Sequence, residues 1–147
     1  MSALCVTLLV VLASDQALKL LLRRRLGSDA LALGPFGSVR VVAGRLWLRR
    51  LGGPCSGAEI WCLWWAAAVP LVVVSALLPS SAAFVGLLLG GSLSHAFESS
   101  LRGGVTDYIC LRFWPAFNLA DSAITVGAVL ILGEVFLGER HAAQQRT

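Results

Sequence analysis

An all-α integral membrane protein is the fold class this sequence predicts: four transmembrane helices in a single polytopic domain, residues 1–147, with a small extramembrane β element in the first long loop. Three observations predict it. Of the 147 residues, 57% are hydrophobic and 14% charged, against roughly 45–50% and about 25% in soluble domains. The mean hydropathy is +0.80, more apolar character than 12 basic and 8 acidic side chains can cover in water. Four windows also reach the length of about 20 mostly apolar residues that a bilayer span needs: Ala3–Leu22, Ile60–Leu78, Ala82–Leu101 and Phe117–Leu137.

The first window also fits a cleavable leader with its apolar core at Leu4–Leu12, but Met1–Ser2 lacks a basic side chain and apolar character resumes at Ala17–Leu22. It is read as a retained helix. In the link that follows, Val39, Val41, Leu46 and Leu48 alternate with Arg40, Arg45, Trp47 and Arg49 around Ala43-Gly44, a pattern for two short strands on the membrane surface. Gly52-Gly53-Pro54 breaks the chain before the second helix, whose Trp61, Trp64 and Trp65 suit an interfacial belt. Pro79, Ser80 and Ser81 alone separate the second and third windows, which forces a tight antiparallel hairpin. A longer link, Arg102–Ala116, leads to the fourth helix, and Gly138–Thr147 is a short polar tail.

The net charge of +4 does not mark a nucleic-acid protein, because long apolar runs separate the basic residues and no solvated basic stripe forms. Membrane lipids with anionic head groups are the expected counter-charge. Cys5, Cys55, Cys62 and Cys110 show no Cys-x-x-Cys spacing, and only His95 and His141 are available to join them, so no metal and no cofactor is expected. Cys5 and Cys62 read as packed, unpaired thiols.

An ionisable group inside a span costs about 2.5–3.5 kcal/mol on insertion scales, so each calls for a partner or a function. Asp15 and Lys19 lie four residues apart on one face of the first helix, as an internal ion pair or as part of an active site. On the third helix Ser92, His95, Ser99 and Arg102 share a stripe that should face protein or water, with Glu98 one turn from both His95 and Arg102. The fourth opens with Asn118, Asp121, Ser122 and Thr125 on one face, and Asp107 precedes Asp121 by 14 residues. If the chain returns Asp107 beside Asp121, the two cannot both ionise cheaply and share a proton, the arrangement of an aspartic protease. From spacing alone, unrelated capping acids and an ion or proton path stay open beside it.

The segment Gly90-Gly91-Ser92-Leu93-Ser94-His95 through Gly103-Gly104-Val105-Thr106-Asp107-Tyr108, followed by Trp114-Pro115-Ala116-Phe117-Asn118-Leu119-Ala120-Asp121, resembles the bacterial lipoprotein signal peptidases (signal peptidase II). That family's C-terminal blocks read approximately G-x-V-x-D-[FY] and W-P-x-F-N-x-A-D, and both are intact here. Asp15-Gln16-Ala17-Leu18-Lys19 is similar to its D-Q-x-[ST]-K motif, with Leu18 in place of the hydroxyl residue. The resemblance implies an aspartic endopeptidase of the bacterial inner membrane. Its substrate would be a prolipoprotein with a diacylglyceryl-modified cysteine, Asp107 and Asp121 the catalytic pair, and Asn118, Asp15, Lys19, His95 and Glu98 in support.

There are departures. Where the family has G-N-x-x-D-R on helix three, this chain carries His95 for the asparagine, Glu98 for the aspartate and Ser99 for the arginine, with Arg102 a candidate for the missing charge. Its N-x-G-A-A-F block is half visible as Cys55-Ser56-Gly57-Ala58-Glu59-Ile60. The first link holds seven arginines, Arg23, Arg24, Arg25, Arg40, Arg45, Arg49 and Arg50; the positive-inside rule puts such a link in the cytoplasm, whereas the family places it outside. Two alternatives accompany the enzyme: a divergent or inactive paralogue with an altered substrate or an inhibitor-resistance role, and a non-enzymatic membrane protein that uses the acids for binding or a proton path.

Overall fold

The computed structural model describes residues 2–26, 29–44 and 56–144. In chain order it contains α1 (Ser2–Leu26), β1 (Ala30–Ala32), a 3-10 turn (Gly34–Phe36), β2 (Gly37–Gly44), α2 (Gly57–Leu77), a second 3-10 turn (Pro79–Ser81), α3 (Ala82–Arg102), β3 (Val105–Leu111) and α4 (Leu119–Gln144). Four helices are long and apolar enough to cross a membrane, as the apolar windows predict. Their ends differ from those windows because polar residues continue a helix past its apolar stretch. Arg23, Arg24 and Arg25 form the last turn of α1, where basic groups suit the helix dipole. At the other end of the chain, α4 runs to Gln144 through most of the expected polar tail.

The helix α3 is central and packs against α1, α2 and α4. Bilayer lipid is as apolar as leucine, so helices in it associate through close packing and polar contacts rather than hydrophobic burial. Small residues make that approach possible here. A Cβ on Gly86 or Gly90 would lie 2.7 Å from the Leu4 or Leu8 carbonyl oxygen of α1, and one on Gly91 would lie 2.5 Å from the Ala120 carbonyl oxygen of α4. Gly91→Ala must therefore move backbone, and we expect it to lower stability by about 1–3 kcal/mol, read as a fall in the unfolding midpoint in detergent. Leu4, Ala68, Ala82, Val85 and Leu89 fill the interior, while Val6, Leu63, Val73, Val129 and Phe136 face outward on the bilayer side. Cys5 and Cys62 are free thiols but also face outward, and are not packed as expected.

The start of α2 is set by a capping box: Ser56 Oγ accepts the Glu59 N–H at 3.2 Å and Glu59 Oε2 accepts the Ser56 N–H at 2.8 Å. Trp64 departs from the expected belt, since its Nε1 donates to Ser92 Oγ at 3.1 Å across to α3, whereas Trp65 is exposed. The hairpin between α2 and α3 is closed by the Pro79–Ser81 turn, with the Ser81 hydroxyl donating to the Leu78 carbonyl at 2.7 Å.

The β element differs from expectation in partners and extent. One antiparallel sheet in the order β1-β2-β3 joins the first link to the second. The first link supplies β1 and β2, and β3 carries Asp107. Residues 39–44 form one strand, and the predicted second strand around Leu46 and Leu48, with Gly52-Gly53-Pro54, lies outside the described residues. In the β2–β3 register Val42 faces Asp107, Ala43 faces Thr106 and Gly44 faces Val105, with an irregularity between Val39 and Val42.

Candidate active site

Two turns bring the chain back on either side of β3, the strand that carries Asp107. Gly103, at φ +72°, ends α3 in the left-handed conformation that glycine adopts without a Cβ penalty, and its N–H reaches the Ser99 carbonyl at 2.9 Å. After β3 the chain folds back so that Phe117 pairs with Ile109, the Ile109 N–H donating to Phe117 O at 2.9 Å and the Phe117 N–H to Ile109 O at 3.0 Å. The start of α4 is thereby pressed against β3.

That N-terminus is held by side chains from three directions. The first N–H groups of a helix have no partner within it. Here Leu119 donates to Tyr108 Oη at 2.9 Å, Ala120 to Asp15 Oδ1 at 3.3 Å and Asp121 to Asn118 Oδ1 at 3.0 Å. Asp121 Oδ2 accepts the Asn118 N–H in return at 2.9 Å, which completes a reciprocal cap of the capping-box kind.

Asn118 is fully buried and joins the two acids. Its Nδ2 donates to Asp107 Oδ1 at 2.9 Å and to the Thr106 carbonyl at 3.1 Å. Its Oδ1 takes the Asp121 N–H and lies 3.2 Å from His95 Nε2, which is also 3.5 Å from Asp121 Oδ1. Asp107, Asn118, Asp121 and His95 are thus one cluster. Burial, then the Asp121 charge, raises the Asp107 carboxyl above its ordinary 3.8, against the opposing pull of the Asn118 hydrogen bond and of His95 and Lys19. Backbone comes close as well: a Cβ on Gly44 would lie 2.5 Å from Asp107 Oδ2, so a larger residue on the neighbouring strand would displace that carboxyl.

A second cluster stands behind the first. Lys19, 1% exposed, places Nζ 2.6 Å from Asp15 Oδ2 and 2.9 Å from Glu98 Oε2. The Arg23 guanidinium bonds both Glu98 Oε1 and Thr106 Oγ1. Glu98 also receives the Thr106 N–H at 3.1 Å and its hydroxyl at 2.6 Å. Asp15 accepts the Ser94 hydroxyl at 2.6 Å and the Tyr108 phenol at 3.4 Å. Two acids and two bases balance in this network, which is how buried charge is tolerated. Desolvation pushes the Tyr108 phenol up to about 12, so it stays a neutral donor at working pH.

The seven residues that the resemblance implies for the site fall in these two linked clusters, but two pairings differ from expectation. Glu98 pairs with Lys19 and Arg23 of α1, not with His95 or Arg102. Arg102 is exposed, and Arg23 brings the second positive charge to Glu98. Arg23, Thr106, Tyr108 and Ser94 were missed. For Arg23 the signal was present, since it continues the i, i+4 series of Asp15 and Lys19. Among the described residues no group of three or more His, Cys, Asp or Glu is placed to hold a metal ion.

Residues 7–137 match the family described as signal peptidase (SPase) II. The lipoprotein signal peptidase of Cellvibrio japonicus (strain Ueda107) is 35% identical over 80 residues, covering 49% of this chain and 47% of the relative. That of Syntrophomonas wolfei is 46% identical over 59 residues, 40% of each chain. This chain thus spans about half, or less, of the length of these relatives. A bacterial membrane enzyme solved by the in meso method at 1.9 Å resolution superposes with a TM-score of 0.78 over 92% of this chain and 93% of that one. At 20% identity this second likeness speaks for the fold alone.

Proposed function

The chain belongs to the signal peptidase II family, and from that premise we propose that it is an aspartic endopeptidase that removes the signal peptide from diacylglyceryl-modified bacterial prolipoproteins. The cut falls on the amino side of the modified cysteine, near the outer face of the inner membrane. The observation that carries this reading is that one buried asparagine serves both carboxyls, its Nδ2 donating to Asp107 and its backbone N–H to Asp121, with the burial of Asp107 favouring its protonated form.

Amide hydrolysis needs one group that gives a proton and one that takes it. Asp121 takes a proton from water as the hydroxyl adds to the scissile carbonyl carbon, and Asp107 gives its proton to the carbonyl oxygen. In the second half, Asp121 protonates the departing amine while Asp107 recovers a proton from the tetrahedral intermediate, the carbon–nitrogen bond breaks, and both acids return to their starting states. The bilayer contributes position, because a lipid-anchored substrate arrives laterally at a fixed depth. Protonated Asp107 is the acid, so the rate falls as pH rises through its raised pKa.

The test is a gel-mobility assay on a diacylglyceryl-modified prolipoprotein in membranes lacking the host enzyme. Wild type should cut, with the rate declining on the alkaline side. A well-inserted wild type that leaves the substrate whole sinks the reading. A paralogue with the same acids and a shifted substrate is the second reading, favoured by His95 standing against Asn118 where the family motif has asparagine. It predicts cleavage of some lipoprotein signal sequences and refusal of others.

A further inference from the structure

His95 touches the cluster only through Nε2, and the chemistry of its neighbours fixes what that atom carries. Asn118 Nδ2 is committed to two acceptors, the Thr106 carbonyl and Asp107 Oδ1, and Asn118 Oδ1 accepts the Asp121 N–H. The amide cannot be turned over without losing all three bonds. Both atoms that face Nε2, Asn118 Oδ1 at 3.2 Å and Asp121 Oδ1 at 3.5 Å, are therefore acceptors. Nε2 must hold a hydrogen, which it presents to both.

The ring is not sealed off. It is 19% exposed and lines a cavity of about 270 Å3 between α2, α3 and α4. From α2 that cavity is walled by uncharged side chains, among them Ile60, Leu63 and Trp64. The charged groups around the ring are Asp121 on α4 and Asp107 on β3, beyond Asn118. On its own helix Glu98 is turned away, occupied by Lys19 and Arg23 of α1.

We propose that His95 is a positioning residue for the acid pair: through Nε2–H it fixes the Asn118 amide that holds Asp107, and so governs how tightly Asp107 keeps its proton. The proposal rests on the reading of Asp107 and Asp121 as that pair. A positive charge on the ring works against the proton that Asp107 must keep. Its removal lets Asp107 hold that proton to higher pH, the sense in which the His95 charge already acts on Asp107.

The experiment compares wild type, His95→Leu and His95→Gln in the full-length membrane protein. His95→Leu, with no donor for Asn118, should lose about a hundredfold in kcat with KM little changed. His95→Gln keeps an N–H donor and should recover much of that loss, while the alkaline limb of its pH profile moves up by about one unit. A His95→Gln profile that superimposes on wild type overturns the proposal, whatever the rate and whether or not His95→Leu folds. A second readout does not need turnover: the infrared carbonyl band of the protonated carboxyl, assigned by its disappearance in Asp107→Asn, is titrated in wild type and His95→Gln. Its midpoint should rise in the variant, and an unchanged midpoint overturns the proposal. A wild type that cuts nothing, but whose midpoint rises in His95→Gln, overturns the peptidase reading and supports the role of His95.

Discussion

Asparagine in place of Asp107 is expected to lower kcat/KM by about a hundred- to ten-thousandfold, the range in which a positioned acid or base contributes. The amide nearly matches the carboxyl in shape but cannot give up and recover a proton. Asp121→Asn should fall as far, and the double variant little further, because groups that act as one unit are not additive. A single variant that stays within tenfold of wild type would remove that residue from the mechanism. The same Asp107→Asn change should stabilise the protein at neutral pH. An acid whose pKa is raised from 3.8 by folding binds its proton more tightly in the folded state. Its contribution to stability therefore declines as pH rises from the unfolded value through the folded one, and asparagine lacks that decline. An inactive variant with a higher unfolding midpoint at pH 7 than at pH 4, relative to wild type, is the signature to look for.

Lys19→Met is the second large effect, and it is one of stability. Lys19 lies fully inside the bundle between Asp15 and Glu98, so its loss leaves two carboxylates with only Arg23 to answer them. Stranding a buried charge by removing one partner costs about 3–5 kcal/mol, even where methionine fills the space well. Reversible unfolding in mixed micelles measures it, and a loss under about 1 kcal/mol would show that the network is not held by Lys19. Activity should fall as well. Glu98 is bonded to the N–H and hydroxyl of Thr106, the residue before Asp107.

The four spans were legible because each needs only length and apolar character, properties of one segment. The acid pair was legible through the blocks around Asp107 and Asp121, where the residue types are dense and their order specific. What escaped was pairing between segments. Val105–Leu111 is short and bounded by Gly104, and as a strand it is defined by a partner some 65 residues earlier, since Gly37 to Gly44 pairs with Leu111 to Val105. Arg23 read as one of seven arginines bearing on topology, because nothing local shows that α1 meets α3 at Glu98. The contact of His95 with Asn118 had a trace in the sequence that only packing could decode. Gly91 lets α3 close on Ala120, and in an antiparallel crossing one turn after Gly91 meets the residues just before Ala120.

The pairing of β2 with β3 makes the position of one acid a matter of counting. Along a strand the side chains alternate, so a slip of one residue exchanges the two faces of the sheet. Thr106 now turns to Glu98, and Asp107 turns to Asn118. A slip would carry the Asp107 carboxylate toward Glu98, acid against acid, and offer a hydroxyl to Asn118 in its place. Between Gly103, where α3 stops, and Val105, where pairing with Gly44 begins, only Gly104 intervenes, and a Cβ there would lie 2.7 Å from the Gly44 carbonyl oxygen. The sheet therefore acts as a gauge whose zero mark is this glycine contact. An insertion or deletion between Gly103 and Asp107 changes which side chain faces Asn118, even though every residue of the motif is still in the chain.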